Sequence, residues 1–254
     1  MITKRESNEE YHSHQNISAS GLKKIFKKSV YHYLNRVPFN SKSLNLGSAV
    51  HAVMLEGMDV FNKEFYVMPK LDARTKEGKA LKAEHIEKAA GKNTITKQEW
   101  EVIEGIMSNF QDNKMAQFYC DGQIELSHYS EYKGVPIRVR PDCFNSEYLF
   151  ISDVKTCQDN SPRAFKNDVY KYSYHLQAVC YSIILGYPIK NFRFIAVETN
   201  YPYSIQLYSL GDDLIEQGIK AFESAISDWS FYLKTGIANK YRGEINENDD
   251  SIIL

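Results

Sequence analysis

Two carboxylates and a lysine on neighbouring strands constrain this chain more than any other feature. Arg140-Pro141-Asp142 is followed, after ten residues, by Asp153-Val154-Lys155. Strand side chains alternate with period two, so the single valine puts Asp153 and Lys155 on one face. The stretch Tyr148 to Val154 is a nearly continuous apolar run, the pattern of a buried central strand. Charges ending such a strand need partners, because unpaired burial is costly. A structural Asp–Lys pair would meet that need alone. The preceding Pro-Asp and the strand context on both sides favour chemistry instead. Two carboxylates offer hard oxygen ligands for Mg²⁺. A lysine can hold a water, or steady negative charge developing beside a scissile phosphate.

The neighbouring segments read as a hairpin. Ile124 to Tyr132 is rich in β-branched and aromatic residues, Lys133-Gly134 signals a turn, and Val135 to Asp142 alternates. Val135, Ile137 and Val139 fall on one side, and Arg138, Arg140 and Asp142 on the other. Pro141 lacks a backbone donor and marks an edge or the end of the ladder.

Upstream, residues 1–16 are polar and read as loose. Ser18-Ala19-Ser20 supplies N-cap candidates for a helix with Leu22, Ile25, Phe26, Val30, Tyr33 and Leu34 on one side. Lys23, Lys24, Lys27 and Lys28 lie toward the other, as a solvated face or as a DNA-backbone contact made with Ser18 and Ser20. Leu44 to Glu56 predicts a second helix, with small residues flanking His51. A lone helical histidine is structural unless the fold brings it to the Asp pair. Residues 58–77 read as irregular, and helices follow at 78–90 and 96–110, the latter opened by a Thr96/Glu99 capping box. The basic run over 70–93 reads as a solvated face or a phosphate track.

Downstream, 159–167 is expected to be a loop and Tyr170 to Leu185 a helix, with Gln177 and Tyr181 on one face. Two strands, 191–197 and 203–210, flank a turn at 200–202, and an amphipathic helix runs from about 212 to 234. This order predicts an α/β fold, a mixed central sheet flanked by helices. At 254 residues it reads as a single domain: a helical N-terminal region (17–115), a catalytic core (120–236) and an acidic tail (240–254).

Composition narrows the partners. A net charge of −1 gives no global attraction to nucleic acid or membrane, so any DNA-binding surface must be a local patch. Cys120, Cys143, Cys157 and Cys180 have no C-x-x-C spacing, which weakens zinc and iron–sulfur readings and fits a reducing cytoplasm. No stretch approaches the roughly 18 apolar residues of a membrane span.

Five segments together resemble a known family. Ile17-Ser18-Ala19-Ser20-Gly21-Leu22, Leu46 to His51, Arg140-Pro141-Asp142, Asp153-Val154-Lys155-Thr156 and Tyr174 to Tyr181 follow the order and spacing of the RecE-type exodeoxyribonuclease VIII nuclease domain. That is a branch of the PD-(D/E)xK superfamily, with a restriction-endonuclease-like core. The similarity spans roughly 11–235 and includes Arg74 to Lys79. It implies a metal-dependent exonuclease that degrades linear double-stranded DNA 5′ to 3′. The 3′ single-stranded tails would serve a RecT-type annealing protein in recombination. It further implies a ring-shaped homo-oligomer and a phage or prophage setting in the bacterial cytoplasm. By the resemblance His51, Glu125, Asp142 and Asp153 ligate two Mg²⁺ ions, with Mn²⁺ able to substitute and the Val154 carbonyl a further ligand. Glu131 rivals Glu125 for its place. Lys155 orients the attacking water, and Gln177 and Tyr181 contact DNA or brace the lysine. Arg138 and Arg140 bind the phosphate near the cut or neutralise the acids. The tail docks the annealing partner or is disordered. Other outcomes are a DNA-end-binding module without catalysis, or an endonuclease or single-strand nuclease of the same fold.

Overall fold

The computed structural model describes residues 1–37, 42–72, 74–241, 244–245 and 252–253. The N-terminal part contains β1 (Ile2–Lys4), α1 (Asn8–Ser13), β2 (Ile17–Ser18), α2 (Ala19–Lys27), α3 (Val30–Leu34), α4 (Lys42–His51), α5 (Met58–Glu64), β3 (Phe65–Met68), α6 (Lys76–Ala89), β4 (Asn93–Thr96), α7 (Lys97–Asp112) and α8 (Lys114–Tyr119). Then follow β5 (Gln123–Ile124), β6 (Ser127–Tyr132), β7 (Val135–Val139), β8 (Cys143–Asn145), β9 (Phe150–Cys157), α9 (Pro162–Tyr172), α10 (Tyr174–Leu185), β10 (Phe192–Glu198), β11 (Ile205–Tyr208) and α11 (Asp212–Thr235). A short antiparallel pair, β12 (Glu244–Ile245) and β13 (Ile252–Ile253), belongs to the acidic tail; Glu247, Asp249 and Asp250 lie outside the described residues.

The central sheet is mixed, in the order β11-β10-β9-β8-β5, with β9 and β10 parallel and the other pairs antiparallel. A second sheet runs β1-β6-β7-β2. The period-two reading of β9 explains how two cores share the central sheet. Ile151 and Cys157 join Phe192, Phe194 and Ala196 of β10 against α2, α10 and α11. Val154 joins Ile195 and Val197 in the other core, with Ala49 and Val50 of α4 and Ile103 and Ile106 of α7. Asp153 and Lys155 have the parity of the first face and Val154 that of the second.

Several expectations need correction. Residues 1–16 are structured: β1 pairs with β6, and α1 opens with a capping box between Ser7 and Glu10. The polar pattern concealed this because the segment is held by side chains of the sheet. Arg138, 5% exposed, donates to the carbonyls of His14 and Asn16, and to that of His12 at 3.4 Å. Between 58 and 77 lie α5 and β3, and β3 pairs in parallel with β4; a strand contributed to a two-stranded sheet has little local signal. The predicted strand from Ile124 breaks at Glu125, whose φ of 51° is left-handed. The predicted strand to Asp142 stops at Val139, and Asp142 leads into β8 instead. The loop and helix expected over 159–185 are two helices divided at left-handed Ser173; Ser161 caps the first, with Pro162 at its start. Thr96 and Glu99 do form the expected capping box.

α10 and α11 touch closely enough to need Gly218. A Cβ there would lie 2.7 Å from the His175 carbonyl oxygen and 2.9 Å from Val179 Cγ2. Gly218→Ala should lower the urea midpoint at unchanged slope. Overpacking against backbone, about 1–3 kcal/mol, outweighs a helix-propensity gain of about 1 kcal/mol at most. An unchanged or raised midpoint would contradict this contact.

Candidate active site

The site forms where β8 parts from β9. β8 pairs with β9 only as far as Cys143–Ser152, so beyond that point the β9 backbone needs other partners. Asp142 and His51 supply them. Val154 N–H donates to Asp142 Oδ2 at 2.7 Å, and His51 Nε2 lies 2.9 Å from the Val154 carbonyl oxygen. His51 Nδ1 is 3.4 Å from Asp142 Oδ2. α4 packs close to β9: a Cβ on Gly47 would stand in ordinary contact with Thr156 Oγ1, at 3.4 Å. A wider π-type turn follows His51, with Gly57 N–H donating to the Ala52 carbonyl at 2.8 Å.

Glu125 enters from the break between β5 and β6. Its left-handed backbone turns the side chain out of the strand alternation, and its N–H donates to the Asp142 carbonyl at 3.2 Å. One ligand atom each from His51, Glu125 and Asp142 falls within 4.8 Å of the others. An imidazole and two carboxylate oxygens beside a backbone carbonyl suit a hard or borderline divalent ion such as Mg²⁺ or Mn²⁺. Glu131, the rival to Glu125, is exposed on β6.

Asp153 and Lys155 lie beside this group on the α2–α10 side. Asp153 is 1% exposed. Its Oδ2 is ion-paired with Lys155 Nζ, and its Oδ1 accepts from Gln177 Nε2 at 2.6 Å. The Gln177 carbonyl in turn accepts from Lys23 Nζ at 2.8 Å. So Gln177 braces Asp153 rather than the lysine, and Asp153 stands next to the three-residue group, not within it. Lys23, expected on the outer face of α2, points inward. Lys24 is exposed on that outer face. Tyr181 is buried one helical turn beyond Gln177 and lines the cleft.

Electrostatics follow from this crowding. Burial and the Asp142 carboxylate push Glu125 up to about 8, against the pull of Arg140. Burial and Asp153 raise Asp142. Burial alone would lower Lys155, but Asp153 and Asp142 outweigh it and hold it above its ordinary value. Burial and then Lys155 bring Lys23 down to about 8.

The two arginines divide. Arg140 Nε pairs with Glu125 at 2.9 Å, so it neutralises the acidic cluster while lining the cleft. Arg138 is occupied by the backbone of residues 12–16, and β7, which carries it, ends before Asp142, so the expected phosphate contact of Arg138 does not hold. Both guanidinium groups cover Tyr11, at 5.0 and 4.3 Å from its centroid. The resulting cleft, about 570 Å³, is lined by Ser18, Ser20, His51, Glu125, Asp142 and Lys155 among others. Ser18 caps α2 by accepting from Gly21 N–H at 3.2 Å. Sequence reasoning missed Tyr11, His12, Glu56 and Tyr174, which also line it. Tyr174 opens a segment already singled out; the others carry no local signal.

Fold and site together define a PD-(D/E)xK-type domain. The chain belongs to the family described as a PDDEXK-like domain of unknown function, DUF3799, whose model matches residues 18–248. Among solved structures, it is similar to a protein of Eubacterium rectale provisionally assigned as an exonuclease. The TM-score is 0.62 at 16% identity, over 96% of this chain and 92% of that one. A phage-related exonuclease from Haemophilus somnus aligns at 12% identity with a TM-score of 0.34, over 88% of this chain and 97% of that one. No curated protein matches the sequence. No helix among the described residues is long and apolar enough to cross a membrane.

A pH dependence follows from Glu125. Its folded-state value near 8 stands above the ordinary 4.5, so between these values the folded chain binds more protons than the unfolded one. Stability therefore falls as pH rises through that window. In EDTA, the melting temperature of the wild type should fall more steeply from about pH 5 to about pH 8 than that of Glu125→Gln. Parallel profiles would show that the Glu125 carboxyl is not the source of the slope.

Proposed function

We propose that this protein is a divalent-metal-dependent deoxyribonuclease acting on linear double-stranded DNA from its ends, 5′ to 3′. The 3′ single-stranded tails would feed a RecT-type annealing protein in recombination of a phage or prophage kind. The observation that carries the nuclease reading is the convergence of His51, Glu125 and Asp142 beside the Asp153–Lys155 pair in one open cleft. End-dependence and polarity rest on the motif resemblance; the provisional exonuclease assignment of the Eubacterium rectale structure agrees with end-dependence alone. A ring-shaped homo-oligomer, the second ion and a cytoplasmic setting rest on the same resemblance.

His51, Glu125 and Asp142 would hold Mg²⁺ or Mn²⁺, with Asp153 and the Val154 carbonyl adjoining. When bound, the ion supplies Lewis-acid activation of water and neutralises charge on the phosphate. The chain's own groups do the rest. Lys155 presents an ammonium to the cleft, where it orients the attacking water and offsets the charge that develops on the phosphoryl oxygens. Gln177, fixed by Lys23, holds the Asp153 carboxylate in one rotamer. Ser18 and Ser20 at the start of α2 contact the DNA backbone, assisted by Lys24.

The deciding experiment offers a 5′-phosphorylated linear duplex and the same DNA as a closed circle, with Mg²⁺ and with EDTA. Loss of the linear form only, and only with Mg²⁺, is expected; labelling each strand then gives polarity. Cutting of the circle would indicate an endonuclease, and binding without cutting an inactive end-binding module. Lys155→Ala should lower cleavage about 10²–10³-fold, and should also lower the melting temperature because Asp153 loses its ion-pair partner. Full activity in that variant would refute the role given to the lysine.

A further inference from the structure

An aromatic ladder leads from the lysine in the cleft to the protein surface. Tyr174 opens α10 and lines the cleft. Its ring centroid lies 5.1 Å from Lys155 Nζ and 5.4 Å from Lys23 Nζ. Tyr172, the last residue of α9, is 43% exposed. The two rings stack with centroids 5.5 Å apart and planes inclined by 28°. Residues two apart on a continuous helix do not face each other. These meet because Ser173 between them is left-handed, at φ 53° and ψ 46°, and almost fully buried. That conformation is unfavourable for a non-glycine residue, so the packing around it must hold it in place.

The outer end of the ladder is cationic. Lys171 Nζ lies 5.1 Å from the Tyr172 centroid, and Lys27 of α2 donates to the Lys171 carbonyl. Both lysines are exposed. Half-wet tyrosines flanked by ammonium groups are the components of a single-strand platform, since every base offers a π-face and every linkage a negative charge. A paired base inside a duplex has both faces covered by its neighbours. A blunt end offers just the outer face of its terminal pair, whereas an unpaired base can reach Tyr172 beside the lysine of the cleft.

We propose that Tyr172 and Tyr174 form a stacking platform for an unpaired base next to the phosphate cut at Lys155, with Lys171 and Lys27 on the flanking backbone. This rests on the nuclease reading and adds the form in which DNA reaches the site: the strand to be cut is parted from its complement first.

The test separates binding from cleavage. In EDTA, fluorescence anisotropy would measure the affinity of the full chain for a short poly-thymidine strand. Tyr172→Ala should weaken binding about five- to a hundredfold, the range for losing one stacked base. Tyr172→Phe, which keeps the ring, should stay within about twofold of the wild type. With Mg²⁺, a duplex whose terminal pairs are joined by an interstrand cross-link should resist the wild type, while a frayed end is cut. Wild-type affinity in Tyr172→Ala, with linear DNA still degraded, overturns the platform and leaves the nuclease reading standing. Undiminished cutting of the cross-linked end overturns strand separation. If the wild type neither binds nor cuts any DNA, both readings fail.

Discussion

The requirement that governs this structure is the charge of Asp153 at the centre of the sheet. It lies on β9 between β8 and β10 with 1% of its surface exposed. A carboxylate there is tolerable only if paired and fully hydrogen-bonded. Lys155 meets half of that need from the same strand, and Gln177 of α10 the other half. Gln177 is held in turn by Lys23 of α2. Three elements far apart in sequence are thus set in register by one buried charge. Losing any partner would leave another unsatisfied, which is costlier than the net worth of the bond itself.

The opposite side of β9 has a complementary logic. Where β8 departs, the Val154 peptide keeps a donor and an acceptor that must be satisfied. Asp142 takes the first and His51 approaches the second. The result gathers oxygen and nitrogen donors around one peptide, with the Val154 side chain anchored in the second core. Burial raises both Asp142 and Glu125, and repulsion adds to it, from Asp153 on the first and from Asp142 on the second. That repulsion is what a divalent cation relieves, so the arrangement is electrostatically suited to one and strained without one.

How much of this was legible depended on range. The Asp153–Lys155 pairing is a two-residue relation and could be read from strand alternation, as could the Thr96 capping box and the amphipathic α11. Asp142 was recognised by its neighbours Pro141 and Arg140, yet placed on the wrong strand, because alternation runs through Val139 and gives no sign of the break after it. Glu125 was suggested only through the family resemblance, since its left-handed backbone violates the strand pattern around it. Lys23 shares its stripe with three other lysines. Only the approach of α10, about 150 residues later, turns it inward. The first 16 residues looked loose because their order comes from Arg138, a side chain more than a hundred residues away.

Long-range packing also determines where the site sits. Its elements come from both cores: α2 and α10, whose Lys23 and Gln177 brace Asp153, against one face of β9, and α4, which carries His51, against the other. A site on one layer could be built from local pattern alone. Here the donors converge only after both faces are packed, so ligand geometry inherits the precision of two cores. Tyr11 extends this to the rim, where the arginines that anchor the N-terminal segment and neutralise Glu125 both pack on one ring. The segment that borders the cleft and the charge balance inside it are therefore parts of one assembly. Loosening the N-terminus would alter the acidity of the cluster as well as its exposure.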